Sequence, residues 1–474
     1  MKSDTGRFFA GQAWVDGGWA SDVLLSVDGA GAWSGVQTNT PVSARQGATV
    51  LAGAVVPGLV NAHSHAFQRA IAGLTERKGN DLAGASDDFW SWRDRMYSVA
   101  RRITPHQLET IATLLYAELL AGGYTHVCEF HYLHNAADGN AHADPLEMSL
   151  ALVRAAQRSG IGLTLLPTLY MRSGFGAIGM REDQRRFAST PDSVMRLLER
   201  VQAQSVALAN VNVGVAVHSL RAAHETAIHE LTAHAAGRAL PIHIHIAEQT
   251  QEVQDCMTHT GQRPIDWLLG HMAVDARWNL VHATHTTAPE LQAVSASGAS
   301  IVICPSTEAN LGDGVFDYCG YASVGGRWSI GSDSHVTRSW TEELRLLEYG
   351  QRLTRRKRNV AAATGANLSS AAVLFEAALA GGRPATGRAL GAIIVGNRAD
   401  FLVLDHQSPA LLGVPSEHVL DALVFSSPDA RFGRVFVAGK PVVAAGRVCG
   451  IGAEPDLSRQ LEREFVRTMK MLWS

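Results

Sequence analysis

The stretch Pro57-Gly58-Leu59-Val60-Asn61-Ala62-His63-Ser64-His65 is the most informative part of this sequence, because an apolar run leads directly into two closely spaced histidines. Residues two apart in a β-strand point to the same side, so His63 and His65 can bind one cation together. A second pair, His243-Ile244-His245, begins 180 residues further along, and another apolar run ends in Ser332-Asp333-Ser334. Together they offer the nitrogen and oxygen ligands of a catalytic Zn²⁺ or a similar divalent ion.

Each of these residues has a simpler explanation when it is taken alone. A single His-x-His more often caps a strand or forms hydrogen bonds than binds a metal, and an isolated loop aspartate such as Asp333 often caps a helix. His243 and His245 share a strand face, so either could be the ligand, although the spacing to Glu248 favours His245. The combination predicts the metal site.

Eight apolar runs of strand length recur between residues 50 and 335, separated by helical patterns. Nearly continuous hydrophobicity is typical of parallel strands covered on both faces. Two of the helical patterns, Pro105–Ala121 and Pro145–Ser159, place Pro at the start and Gly past the end. The pattern predicts an α/β fold, a (β/α)₈ barrel of the TIM type. The runs are Ala54–Val60, Thr125–Phe130, Gly162–Leu169, Val211–Val217, Leu240–Ile246, Trp278–His282, Ser300–Cys304 and Trp328–Gly331.

The two ends of the chain show short β patterns with glycine turns instead. Neither end can bury a face alone, so we expect residues 1–56 and 382–452 to pair into one small β-sandwich domain beside a barrel of residues 57–381. Residues 453–474 are expected to form a closing helix. In such barrels the chemistry collects at the C-terminal ends of the strands. There we expect His65, Tyr132, His218, His245, His282 and Asp333.

Composition excludes several classes of function. A net charge of −3 and a pI near 6.7 offer no electrostatic footprint for nucleic acid or an anionic membrane. The sequence shows no secretory leader and no run of 18 apolar residues, so we expect a cytoplasmic protein. The five scattered cysteines predict free thiols rather than disulfides or a thiolate zinc site.

Two further residues are candidates for acid–base chemistry. Glu248 follows His245 by three residues and could transfer a proton between a metal-bound water and a leaving nitrogen. His282 ends the sixth apolar run, where it could polarise a C=N or C=O bond. A surface glutamate that opens a helix and a satisfied core histidine are the alternatives.

The set formed by residues 57–65, His245-x-x-Glu248, His282 and Ser332-Asp333-Ser334 resembles the mononuclear deaminase branch of the amidohydrolase superfamily over essentially the whole chain. The resemblance implies one Zn²⁺ per chain bound by His63, His65, His245 and Asp333. It also implies catalytic roles for Glu248, His282 and Asp333. Relatives with two metals use a carboxylated lysine, but none of the five lysines lies between Lys78 and Lys357.

Longer strings between these residues, such as Phe89-Trp90-Ser91-Trp92-Arg93 and His218-Ser219-Leu220-Arg221, resemble the iminohydrolases that act on N-formimino-L-glutamate in histidine degradation. That substrate is a small dianion, and Arg93 and Arg221 can each offer a planar guanidinium to one carboxylate. Gln68, Tyr132 and His218 would add hydrogen bonds. The alternatives are a surface ion pair for Arg93, rim packing for Tyr132 and His218, and a helix cap for Gln68. The position of Arg221, three residues beyond His218 at a strand end, favours the functional interpretation.

Two competing functions follow from the same residues. A deaminase of an aminopurine, pyrimidine or triazine would call for stacking aromatic residues rather than two arginines. A non-catalytic barrel would be expected to lack a ligand or the acid–base residue, and this chain has the full set. The resemblance also implies a homodimer, and the Gly- and Asp-containing residues 76–93 could form a lid that carries Arg93.

Overall fold

The computed structural model describes residues 4–77, 88–364, 367–427, 432–450 and 456–474. The strands are β1 (Asp4–Val15), β2 (Gly18–Asp28), β3 (Trp33–Gln37), β4 (Thr49–Leu51), β5 (Val55–Pro57), β6 (Leu59–Ser64), β7 (Tyr124–His131), β8 (Gly162–Leu169), β9 (Val211–Val213), β10 (Val215–Ser219), β11 (Ile242–Ile246), β12 (Trp278–His282), β13 (Ser300–Ile303), β14 (Arg327–Ile330), β15 (Phe401–Leu404), β16 (Phe432–Val437), β17 (Lys440–Ala444) and β18 (Arg447–Val448).

The helices are α1 (Phe89–Ala100), α2 (Pro105–Ala121), α3 (Glu147–Ser159), α4 (Pro191–Gln204), α5 (Glu225–Ala236), α6 (Thr250–Thr260), α7 (Pro264–His271), α8 (Ala288–Ser297), α9 (Pro305–Leu311), α10 (Tyr318–Ser323), α11 (Trp340–Arg355), α12 (Ser370–Thr386), α13 (Val419–Phe425) and α14 (Leu457–Trp473). Short 3₁₀ helices span Val42–Arg45, Ala66–Ala70, Glu182–Phe187, Ala362–Thr364, Pro409–Leu411 and Ser416–His418.

The central part of the chain forms the predicted (β/α)₈ barrel. Its parallel strands follow the order β6-β7-β8-β10-β11-β12-β13-β14, and β9 pairs with β8. The fourth strand position is thus divided between β9 and β10 at Gly214. A Cβ there would lie 2.7 Å from the side chains of Leu166 and Pro241, so only glycine fits between the neighbouring strands.

The first and last barrel strands are joined at their C-terminal ends by backbone hydrogen bonds. The Asp333 N–H donates to the His63 carbonyl at 3.0 Å, and the His65 N–H donates to the Asp333 carbonyl at 3.2 Å. The buried Asn61 side chain supports this seam, because its Oδ1 accepts from the Ser332 N–H at 2.9 Å. Closing the barrel therefore brings the first histidine pair and the distant aspartate together.

The prediction of one strand over Ala54–Val60 is wrong. Val55–Pro57 belongs to the other sheet, where it pairs antiparallel with β15, and the barrel strand begins at Leu59. Gly58 permits the change of sheet, since a Cβ at this position would lie 2.3 Å from a Thr125 methyl group. Continuous hydrophobicity did not show this change of partner.

Both chain ends contribute to the second sheet, as expected of the small β-sandwich domain. Its strands follow the order β18-β17-β16-β15-β5-β1-β2-β3, and β4 pairs with β1. Alternation along β15 explains how this domain packs, because Phe401 and Val403 face its own core whereas Leu402 and Leu404 join the barrel core. The domain boundaries remain predictions, and position 381 falls within α12, which packs against β14.

The two helices predicted from Pro and Gly positions both form, one with the expected bounds and one with a later start. The bounds Pro105–Ala121 are confirmed, and Thr104 caps this helix by accepting from the Gln107 N–H. The helix expected from Pro145 begins at Glu147 instead. The Asp144 carboxylate accepts a hydrogen bond from the Leu146 N–H at 3.0 Å, and this contact forms a turn before the helix.

No described helix is long and apolar enough to cross a membrane. All five cysteines are free.

Candidate active site

Three imidazoles converge at the C-terminal mouth of the barrel. The Nε2 atom of His63 lies 3.1 Å from that of His65 and 3.0 Å from that of His245, and the last two are 3.3 Å apart. One carboxylate oxygen of Asp333 lies 3.4 Å from the Nε2 atoms of both His63 and His65. These four side chains are the metal ligands expected from the sequence.

Hydrogen bonds behind the rings fix which nitrogen faces the centre. The Nδ1 atom of His65 donates to the Phe130 carbonyl at 3.0 Å, and that of His245 donates to the His218 carbonyl at 2.8 Å. Each Nε2 atom then carries a lone pair that points at the other rings. Burial lowers the pKa of His63 to about 3, so its ring is neutral near pH 7.

This donor set fits a divalent cation. Ligands bound to one zinc ion at about 2.05 Å lie roughly 3.3 Å from one another. The three nitrogens lie 3.0–3.3 Å apart, and the Asp333 oxygen lies 3.4 Å from those of His63 and His65, which agrees with this value. The lone pairs of His65 and His245 that face one another repel, and a cation removes that repulsion. His243 has a different environment, since its Nε2 donates to the Ala385 carbonyl at 2.9 Å.

Glu248 and His282 lie beside the imidazole cluster as an ion pair. The His282 Nε2 atom is 3.5 Å from a Glu248 oxygen and 3.7 Å from an Asp333 oxygen. Burial raises the pKa of Glu248 to about 7. Burial lowers the pKa of His282, but the carboxylates of Glu248, Glu308 and Asp333 outweigh this effect and raise it to about 10. Such an arrangement can hold and move protons near neutral pH.

The backbone around these residues is held in an uncommon conformation. His282 has a φ of 70° and Asp333 a φ of 44°, in the left-handed region that residues with side chains rarely adopt. Each such residue costs of order 1–3 kcal/mol and is kept only when its surroundings over-determine it. The strain is located where β12 and β14 deliver these two side chains to the site.

All five residues expected to bind substrate line one cavity over the imidazole cluster. The described wall also includes four residues of α1 that sequence reasoning did not single out, which are Phe89, Trp92, Met96 and Tyr97. Gln68 donates through Nε2 to the Tyr132 hydroxyl at 3.2 Å. The cavity therefore joins the candidate metal ligands to Gln68, Arg93, Tyr132, His218 and Arg221.

The two arginines are held in different ways. The guanidinium carbon of Arg93 lies 4.5 Å from the ring centroid of Trp90, and its buried Nε atom has no hydrogen-bond partner within the described residues. Arg221 instead donates from one Nη atom to a Glu252 oxygen at 3.2 Å, and the Glu252 side chain is fully buried. Both guanidinium groups lie near the Trp90 ring, since the guanidinium carbon of Arg221 is 5.9 Å from its centroid.

Sequence reasoning missed two carboxylates that support the site. Glu308 accepts from the Nδ1 atom of His282 at 3.2 Å and from the Cys304 N–H at 2.9 Å. Glu252 lies in the first turn of α6 whereas Glu248 precedes that helix, so helical spacing did not indicate it. Glu308 lies in the stretch Ser306-Thr307-Glu308-Ala309-Asn310, which also resembles the iminohydrolases that act on N-formimino-L-glutamate, but no role was predicted for it. The predicted lid cannot be followed as a whole, because residues 78–87 lie outside the described part of the chain.

Comparison with known proteins agrees with this geometry. The model of the Amidohydrolase family matches residues 54–442, which include the barrel and the strands β5, β15 and β16 of the terminal sheet. The chain belongs to the amidohydrolase family. Over 443 residues, 93% of this chain and 95% of the relative, it is 47% identical to the formimidoylglutamate deiminase of Pseudomonas aeruginosa.

Solved structures of the amidohydrolase fold match over nearly the full length. An amidohydrolase from Brucella melitensis superposes with a TM-score of 0.91 at 39% identity, covering 99% of this chain and 100% of that one. An adenosine deaminase from Xanthomonas campestris with bound zinc has a TM-score of 0.76 at 22% identity, covering 97% and 98% of the two chains. The latter likeness extends to the fold alone.

Proposed function

We propose that this amidohydrolase hydrolyses N-formimino-L-glutamate to N-formyl-L-glutamate and ammonia, as part of histidine degradation. One observation carries the proposal: Arg93 and Arg221 line the same cavity as the three-histidine and aspartate cluster. Two guanidinium groups suit the two carboxylates of this substrate. The relationship to a formimidoylglutamate deiminase at 47% identity supports the same choice.

His63, His65, His245 and Asp333 would hold one Zn²⁺ ion. When bound, zinc supplies a water whose pKa is lowered from about 15.7 toward about 7, which makes a nucleophile available at neutral pH. The neutral rings of the three histidines and the carboxylate of Asp333 would hold the ion, and that water would be a further ligand. Asp333 or Glu248 would accept the proton of the attacking water, and an Asp333 oxygen lies 3.7 Å from the His282 Nε2 atom.

Glu248 would transfer the proton that the leaving nitrogen requires. With its pKa raised by burial to about 7, this carboxyl group can both accept and donate a proton near neutral pH. Attack at the formimino carbon gives a tetrahedral intermediate, and protonation of the imino nitrogen by Glu248 allows ammonia to depart. His282, held as a cation between carboxylates, would stabilise negative charge that develops at the attacked centre.

Arg93 and Arg221 would bind the two carboxylates and so orient the formimino carbon over the cluster. Gln68, Tyr132 and His218 would provide hydrogen bonds around the bound substrate. The aromatic wall of α1 would limit the water that reaches the intermediate. This orientation favours hydrolysis of an amidine whose two carboxylates reach both arginines over hydrolysis of amidines that lack them.

A metal count combined with an ammonia assay tests this proposal directly. Full-length protein loaded with zinc should contain one metal per chain and release ammonia from N-formimino-L-glutamate. Adenosine, guanine and cytosine, which are planar and uncharged, should release little. Activity confined to these heterocycles would overturn the substrate, and active protein without metal would overturn the cofactor. The homodimer and the cytoplasmic location stay predictions, and sedimentation would test the former.

A further inference from the structure

Arg221 is anchored by a buried carboxylate for which the proposed reaction has no use. Among the described residues, Glu252 is the only side chain that accepts a hydrogen bond from the Arg221 guanidinium, at 3.2 Å. The Glu252 side chain is completely buried, and 9% of the Arg221 side chain is exposed. A buried carboxylate paired with arginine is a costly arrangement that is unfavourable unless both partners are well placed.

The same Glu252 oxygen also contacts the backbone of the residue proposed as the proton shuttle. It accepts a hydrogen bond from the backbone N–H of Glu248 at 3.3 Å. Glu252 is the third residue of α6, where a helix N-terminus favours a negative charge. One carboxylate therefore holds both the arginine expected to bind substrate and the turn that carries the proposed proton shuttle.

Within the part of the chain that the structure describes, Arg93 has no comparable anchor. Its one acidic neighbour within 4 Å there is Asp94, at 3.9 Å, and the Asp94 side chain is 57% exposed. Aromatic rings place its guanidinium by contact rather than by a directed hydrogen bond. A charge-assisted hydrogen bond fixes direction as well as distance, and here it engages one Nη atom and leaves the other guanidinium nitrogens for a ligand.

We propose that Glu252 is a positioning residue that fixes Arg221 to receive one particular carboxylate of a dicarboxylate substrate. The inference rests on the proposed function for the identity of that substrate. It predicts that Glu252 controls substrate affinity more than the rate of the chemical step. A role confined to folding would instead affect every substrate and both kinetic constants alike.

The test substitutes Glu252→Gln in the full-length zinc-loaded enzyme. Glutamine keeps an oxygen for the Glu248 N–H but removes the charge that directs Arg221. We expect KM for N-formimino-L-glutamate to rise about tenfold while kcat falls less than about threefold. An unchanged or lower KM, or a fall in kcat alone, would overturn the proposal.

Binding of glutarate gives a second measurement that needs no turnover. This unreactive dicarboxylate should bind Glu252→Gln about tenfold more weakly than wild type, as measured by calorimetry. If wild type binds glutarate but releases no ammonia from N-formimino-L-glutamate, the proposed function fails while Glu252 is still tested. Equal glutarate affinities in both proteins would overturn the role of Glu252 alone.

Glu290→Gln is the matched control. Glu290 is also buried, opens a helix of the barrel and pairs with an arginine, Arg263, at 3.0 Å, but it does not line the cavity. This variant should bind glutarate within about twofold of wild type. If Glu252→Gln does not fold, Glu252→Asp retains the charge with a shorter reach, and wild-type glutarate affinity in that variant would equally reject the proposal.

Discussion

The two halves of the candidate site differ in how they are built. The metal-binding half consists of side chains at the ends of β6, β11 and the β14 strand, all joined by the hydrogen bonds of one closed barrel. The substrate-binding half combines Arg221, which follows the barrel strand β10, with Arg93 from α1, a helix outside the barrel sheet on which the Arg93 guanidinium packs against Trp90. The comparison teaches that this fold places its chemistry through the sheet and takes part of its substrate recognition from an added helix.

The largest effect should come from removing a metal ligand. His245→Gln should lose the metal and at least about 10³-fold in kcat/KM, because the attacking water then keeps a pKa far above neutral. His243→Gln, on the same strand face but bonded to the Ala385 carbonyl, is the matched control. Metal content should fall only in the first variant. Equal metal content in both would show that the metal-binding half is wrongly assigned.

Removing the proposed proton shuttle, Glu248, should lower activity somewhat less than removing a metal ligand. Glu248→Gln should lower kcat by about 10²–10⁴-fold, the usual contribution of a positioned acid or base, while metal content stays at the wild-type level. Single-turnover measurements of ammonia release would check this. A variant that works at nearly the wild-type rate would refute the role of Glu248 and remove the link between the two halves.

Substitution of Arg93 separates affinity from chemistry. Arg93→Met should raise KM for N-formimino-L-glutamate about 30-fold, the equivalent of about 2 kcal/mol for a lost charge pair, with little change in kcat. Arg101→Met, an exposed change at the C-terminal end of the same helix, should leave both constants unchanged. A fall in kcat with constant KM would mean that Arg93 belongs to the catalytic half.

The smallest effect should arise at the barrel seam. Asn61 accepts from the Ser332 N–H at 2.9 Å and donates to the Ser332 hydroxyl at 2.7 Å, whereas Asn279 bonds the Arg277 and Pro384 carbonyls away from the ligands. Alanine at either position should destabilise the protein by about 1–3 kcal/mol.

Only the Asn61→Ala variant should also weaken zinc affinity, by about tenfold, because it loosens the residues behind the ligands. Chelator competition and denaturant unfolding would measure the two quantities separately. Equal zinc affinity in the Asn61→Ala and Asn279→Ala variants would mean that the seam does not position the metal site.

Much of the metal-binding half could be predicted because its signals are local. Strand periodicity places His63 beside His65, and parallel strands bring their C-terminal ends to one rim. The place where the chain leaves one sheet for the other, at Gly58, could not be predicted, since Val55 and Leu59 are equally hydrophobic and their partners are distant in sequence. Glu252 and Glu308 were missed for a related reason, because their roles depend on side chains that only the folded barrel brings near.

The seam between β6 and β14 has a consequence for biosynthesis. Ligands at positions 63, 65 and 333 are supplied by the first and last barrel strands, so a growing polypeptide has no complete ion-binding centre until about seven-tenths of it has been made. Metal binding therefore stabilises only the complete barrel and no earlier folding stage, because an ion that binds the native form alone increases the free energy of unfolding of that form.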